Sequence, residues 1–297
     1  DYRRGMTKAL VLGAGGHIGN AICREFQQQG YAVTGVIRGT RFYPNLLDLD
    51  TELIQLDIDT SESLGQLIGK NDWVVDAAAP YLQSFFASEV MLQDAENRMR
   101  RLLDNVAASG AGFVYISSHV TLDGEYTTPR KLSSKYLTKL HPYYVMKSRL
   151  ENMVFQYGAK GLRFLVLNPS VCLGPWDCKA LHNCFVPRTI SGDIPVIIES
   201  GINIVDVRDL ASFLAKRLRE GDVGKRYPVF GLNILYSDLV AEICDYAGVD
   251  MPARSPLPHW IGNIASLGFQ SGAVGCFNTT LFLFLAASID RRLKFGQ

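Results

Sequence analysis

Apolar and polar positions follow two rhythms along the first half of the chain. Residues 8–12 form a short apolar run that ends in glycines. Residues 18–29 carry Ile18, Ile22 and Phe26 at helical spacing and stop at Gly30, a residue suited to a helix terminus. The same pattern predicts strands at 31–37, 53–56, 73–77, 113–117 and 163–167, with helices at 61–68, 88–109 and 142–157. These strands do not alternate strictly, as expected when both faces of a sheet are covered. The succession predicts an α/β fold, a Rossmann doubly wound parallel sheet with helices on both faces.

The rhythm changes after Pro169. Residues 170–204 are rich in Gly, Pro and Cys, strand and helix return at 205–217, and a further helix is expected at 237–247. Residues 252–258 hold three prolines and read as a loop, and the tail at 260–285 is mostly apolar. The expected division is a dinucleotide-binding Rossmann domain at 6–170, returning at 205–220. A smaller, discontinuous C-terminal substrate lobe would comprise 171–204 and 221–297.

Composition narrows the function classes. The chain has 297 residues, 30 Lys+Arg against 29 Asp+Glu, and a formal net charge of +1. A general nucleic-acid binder would carry a basic excess, so no polymer partner is expected. No apolar run is long enough for a membrane span; the densest, 281–287, is too short. The run at 8–12 reads as a strand and not as a signal peptide, so a cytoplasmic location is expected. Cys172, Cys178, His182 and Cys184 are too loosely spaced for the paired ligands of a zinc site, and no metal is expected.

Three motifs carry chemistry. Gly13-Ala14-Gly15-Gly16-His17-Ile18-Gly19 lies between the first strand and the first helix. A sharp backbone turn there would bring a pyrophosphate to the helix N-terminus. An acid about 20 residues further on would bind the ribose hydroxyls of NAD, but Arg38 stands 19 residues beyond Gly19, with Arg41 after it. A guanidinium suits a 2′-phosphate by charge and fork geometry, which favours NADP(H). Finally, Tyr143 and Lys147 share a helix face at i, i+4, and an ammonium would stabilise a phenolate and lower its pKa. Ser117-Ser118 end the fifth strand, where such sheets place their active sites.

With GAGGHIG, LDID, VVDAAAP, YISS, YYVMK, LNPSVCLGP and INIVDVRDLA in place, the chain resembles an extended short-chain dehydrogenase/reductase of the NAD(P)-dependent epimerase/dehydratase family. The resemblance implies that Gly13, Gly15, Gly16, His17, Ile18, Gly19, Arg38, Asp57, Ile58, Ala77, Ala78, Ala79, Lys147, Pro169 and Val171 bind the cofactor. Within that set Asp57 would meet the adenine amine and Pro169 would pack near the nicotinamide. It implies catalysis by Ser118, Tyr143 and Lys147, with Ser117 as the alternative serine. It also implies a homodimer through the helices at 88–109 and 142–157.

Nucleotide-sugar enzymes of this family carry an Arg where this chain has Ile202, and Thr-Asp-Glu where it has Ser118-His119-Val120. The segments at 168–170, 201–207, 257–260 and 289–293 look more like the dihydroflavonol-reductase-like branch. The Asn usual before the fifth strand aligns near Ala95, with Asn97 two residues away. The expected activity is therefore NADPH-dependent reduction of a ketone or aldehyde to an alcohol. The apolar set Trp176, Phe185, Trp260, Ile261, Phe269, Phe277, Phe282 and Phe284 is expected in the lobe, either as its core or as a pocket for an apolar or aromatic substrate. The alternatives are a nucleotide-sugar epimerase or dehydratase with bound NAD(P), and a non-catalytic dinucleotide sensor.

Overall fold

The computed structural model describes residues 6–39, 42–78, 89–122, 142–178, 185–194, 196–197 and 201–254. The chain divides into two units, Asp1–Cys178 with Val205–Phe230, and Lys179–Ile204 with Gly231–Gln297.

The first unit opens with β1 (Lys8–Leu12), α1 (His17–Gln28), β2 (Ala32–Ile37), β3 (Glu52–Gln55), α2 (Leu64–Ile68) and β4 (Trp73–Asp76). It continues with α3 (Glu89–Ser109), β5 (Gly112–Ile116), α4 (Pro142–Gly158), β6 (Phe164–Pro169) and β7 (Val171–Leu173). In the second unit come α5 (Phe185–Ile190) and β8 (Val196–Ile197). β9 (Gly201–Asp206) then leads into α6 (Val207–Arg219) and β10 (Lys225–Val229) of the first unit. β11 (Leu232–Leu235), α7 (Tyr236–Ala247) and β12 (Ala253–Arg254) belong to the second.

Seven strands form one sheet in the order β10-β6-β5-β4-β1-β2-β3, and every pair in it is parallel. The predicted doubly wound sheet is thus the fold found. Strand order reverses between β1 and β4, the place where such sheets open a crevice at their carboxyl ends. Ala9–Leu12, Val74, Val75 and Leu165–Leu167 are fully buried, which explains their unbroken apolar runs. Ile22, Cys23 and Phe26 of α1 and Leu210, Leu214 and Leu218 of α6 pack in the same core. Burial pushes the Cys23 thiol up to about 12, so it is inert at neutral pH.

One strand was concealed. Residues 225–229 fall in the stretch expected in the lobe, yet they pair with β6 from Lys225↔Leu165 to Val229↔Pro169. Their sequence, KRYPV, lacks the apolar run of a central strand. An edge strand tolerates this, because one side needs no backbone partner and proline costs least there.

In the second unit β9 and β11 pair antiparallel, with Leu232↔Ile204 and Leu235↔Gly201 in register. Phe185 of α5 packs on Tyr236 of α7 with ring centroids 5.5 Å apart. α7 ends at Gly248 with φ 66°, a left-handed cap that glycine adopts without strain. The aromatic set from Trp260 onward, and Arg41, Ala79, His182 and Cys184, lie outside the described residues. No helix among the described residues is long and apolar enough to cross a membrane.

Candidate active site at the carboxyl edge of the sheet

The β1–α1 turn is packed backbone against backbone. Gly13 has φ +83°, and a Cβ there would lie 2.9 Å from the Ala77 carbonyl oxygen. A Cβ on Gly19 would lie 2.2 Å from the Gly13 oxygen. The Gly16 amide donates to Gly13 O at 2.9 Å, and the Gly13 and Ala14 amides both donate to Val36 O at 3.0 Å. The motif therefore brings Gly13, Gly16, Gly19, Ala77 and Ala78 together. α1 starts at His17 with no side-chain cap and no acid in its first turn. The amides of His17, Ile18 and Gly19 have no intrahelical acceptor there, and the helix dipole favours an anion. These residues fit the diphosphate of a dinucleotide. Ile18 packs on the core. Buried His17 places Nδ1 4.0 Å from Asp177. Gly15 serves a different contact: a Cβ there would come within 2.3 Å of the Tyr43 ring, whose hydroxyl donates to Arg38 O at 2.7 Å.

At the end of β2, Arg38 is 75% exposed and stands 3.8 Å from Asp59. Asp57 is exposed and Ile58 half-buried. Asp57 accepts the Asp59 amide at 2.9 Å, and Ile58 O accepts from Arg101. Behind this loop, Arg98 binds Asp76 through two hydrogen bonds of 3.1 and 2.9 Å and reaches Asp59 at 3.2 Å.

The second cluster forms where β5 and β6 end. Tyr143 and Lys147 of α4 are buried, as are Ser117 and Ser118. Ser118 and Tyr143 hydrogen-bond through their side chains. Ser117 instead donates to Glu151 at 2.6 Å, so Ser118 is the serine brought to Tyr143. Lys147 Nζ donates to Ile116 O at 2.9 Å and lies 6.0 Å from the Tyr143 ring centroid. Burial pushes Tyr143 up to about 12, with Ser118 pulling against it. Burial likewise lowers Lys147 to about 8. The expected lowering of Tyr143 by Lys147 is thus absent from the protein alone: desolvation wins and the ammonium is turned to a carbonyl. His119 Nδ1 is 3.2 Å from Pro169 O, and burial holds its pKa below the usual histidine range. Pro169 is buried, and Val171, two residues on, is half-buried.

A family model, described as the NAD dependent epimerase/dehydratase family, matches residues 9–230. The chain belongs to this family. Among the relatives of this epimerase/dehydratase-family chain is a Synechocystis protein bearing the provisional name dihydroflavonol 4-reductase. It is 23% identical over 85% of this chain and 76% of its own length. Among solved structures, a nucleoside-diphosphate-sugar epimerase from Pseudomonas aeruginosa has a TM-score of 0.72. It is 20% identical and covers 96% of each chain. The UDP-glucose 4-epimerase of Thermus thermophilus, solved with NAD, has a TM-score of 0.66 at 17% identity, over 96% of this chain and all of its own.

Several residues of this family member escaped the sequence. Glu151 accepts from Ser117, from Thr121 at 2.7 Å, from Asn168 at 2.9 Å and from Arg226 at 2.8 Å. Its place four residues after Lys147 was the one legible signal. Arg98 and Asp76 gave none, because a buried ion pair has no periodicity. Asn97 is exposed and accepts from Gln93 at 3.1 Å, so no Asn of α3 joins the cluster. Trp176 belongs to the first unit and not to the lobe. Its ring lies under the Arg24 guanidinium at 4.5 Å, and its backbone has φ 68°. Ile202 is buried within β9. No group of three or more His, Cys, Asp or Glu among the described residues could hold a metal.

Proposed function

We propose that this chain is an NADPH-dependent reductase of a ketone or aldehyde, acting through Ser118, Tyr143 and Lys147. The observation that carries the reading is the buried Ser118–Tyr143 hydrogen bond beside Lys147. It lies on the same sheet edge as an uncapped, acid-free glycine turn. A bound NADPH supplies the hydride. Ser118 donates a hydrogen bond to the substrate oxygen as negative charge develops there. Tyr143, raised to about 12, is a neutral phenol at neutral pH and can give its proton to the forming alkoxide. Lys147, anchored on Ile116 O, would hold the cofactor ribose. Gly13, Gly15, Gly16, His17, Ile18, Gly19, Ala77 and Ala78 hold the diphosphate side. Asp57 and Ile58 hold the adenine, and Pro169 and Val171 border the nicotinamide. Arg38, exposed and with no acid in its place, takes the 2′-phosphate. The apolar composition of the C-terminal sequence suits an apolar or aromatic carbonyl compound.

A panel of aromatic, aliphatic and sugar carbonyls, followed by NADPH absorbance with NADH as control, tests this. Oxidation of NADPH by at least one member supports the reading. Failure of the whole panel, with NADPH still bound, favours the non-catalytic reading. A second enzymatic reading, epimerase or dehydratase action on a nucleotide sugar, draws support from the names of the two similar structures. It predicts NAD(H) that co-purifies and survives gel filtration.

A further inference from the structure

Three residues one helical turn apart on α4 each grip the end of β5. Tyr143 engages the side chain of Ser118. Lys147 donates to Ile116 O. Glu151 accepts from Ser117. The last residue of β5 and the two residues after it are thus held by the i, i+4 and i+8 positions of one helix. We infer that Glu151, clamped by Arg226, is a positioning residue that sets the Ser117–Ser118 turn and holds a fixed negative charge near Lys147. This inference rests on the reading of Ser118, Tyr143 and Lys147 as the reacting group.

The Glu151 carboxylate is fully buried, as is its partner's side chain. It accepts four hydrogen bonds: from Ser117 after β5, from Thr121 in the turn beyond, from Asn168 of β6 and from Arg226 of β10. Three of these converge on Oε2, and the fourth, from Arg226, falls on Oε1. The Asn168 amide nitrogen also lies 3.1 Å from Ser118 O and 2.7 Å from Thr121 Oγ1, its two protons shared among these and Glu151, so the turn bearing Ser118 is held by the same network. Stability alone does not call for this arrangement, since a buried ion pair is often matched by apolar side chains of similar volume.

Charge gives the arrangement a second use. Lys147 faces Asp76 from β4, Arg98 from α3, the Tyr115 ring of β5 at 5.0 Å, and Tyr143 and Glu151 on its own helix. Burial and Arg98 work against the ammonium; Asp76 and Glu151 work for it. Removing the Glu151 charge tips that balance toward the neutral amine.

The test compares wild type, Glu151→Gln, Glu151→Asp and Ser117→Ala. The Lys147 titration is read from pH-dependent acetic anhydride labelling of its peptide by mass spectrometry, from about pH 6 to 10. Glu151→Gln is expected to lower the Lys147 midpoint by about one pH unit. It should also cut kcat by about tenfold or more, with the NADPH KM changed by less than about twofold. Glu151→Asp should restore most of the midpoint. A folded Glu151→Gln with wild-type midpoint and kcat overturns the inference. Should Glu151→Gln fail to fold, Ser117→Ala decides: it keeps the charge and removes one tether, so kcat falls while the midpoint stays, and an unchanged kcat overturns the inference. A wild type inactive on every carbonyl, whose midpoint still moves in Glu151→Gln, sinks the reductase reading and leaves the charge and positioning role of Glu151 standing.

Discussion

The two halves of the sheet edge are built by opposite means. On the β1–β2 side the packing is backbone on backbone: Gly13 against Ala77, Gly19 against Gly13. The Tyr43 ring closes over Gly15, and the helix end is left without a side-chain cap. On the β5–β6 side the packing is polar side chain on polar side chain. Ser117, Thr121, Asn168, Glu151 and Arg226 are buried together, and the other four donate to Glu151. The first design demands missing side chains. The second buries a few polar and charged groups in a low-dielectric interior and demands that every charge be matched.

Four substitutions can break or sharpen that contrast. The largest effect is expected from Tyr143→Phe. Loss of the proton donor should cut kcat for carbonyl reduction by about 10²–10⁴, while NADPH fluorescence titration gives an unchanged Kd. Turnover equal to wild type would detach the β5–β6 cluster from catalysis.

Next comes the pH dependence of stability in Lys147→Met. Burial lowers Lys147 to about 8 from an ordinary 10.5. The unfolded chain holds the proton across that window and the folded chain does not, so this group makes stability rise with pH between the two values. Wild type should gain about 3 kcal/mol relative to Lys147→Met over that interval. Parallel denaturation curves at each pH would show that Lys147 is solvated in the protein.

Gly19→Ala should cost about 1–3 kcal/mol in thermal unfolding, because the new methyl meets a carbonyl that has no room to move. NADPH affinity should fall with it. A neutral result would mean that the turn is looser than its close contacts indicate. The smallest effect is expected from Arg38→Ser. The preference for NADPH over NADH should drop about tenfold, equivalent to ~1.4 kcal/mol, with no change in melting temperature. An unaltered ratio would move 2′-phosphate recognition elsewhere.

The contrast also explains which features were legible. The glycine turn is local: its residues are consecutive, and their spacing alone marks the bend. Tyr143 and Lys147 share a face by helical arithmetic. The edge strand at 225–229 was hidden because its Lys, Arg and Pro are permitted only by its position beside β6. Tyr43 over Gly15 and Trp176 under Arg24 join segments far apart in the chain, and neither leaves a periodic trace.

By itself the amino-acid order determined the strand–helix alternation, the glycine turn after β1, the absence of an acid after β2 and the Tyr143–Lys147 spacing. These rest on φ/ψ preference and on side-chain period, which act within a few residues. Only the tertiary structure decided that Ser118 and not Ser117 meets Tyr143, that burial and not Lys147 governs the phenol, and that Glu151 joins β5, β6 and β10. Those outcomes depend on desolvation and on hydrogen bonds between distant segments, and both exist only once the sheet has closed over them.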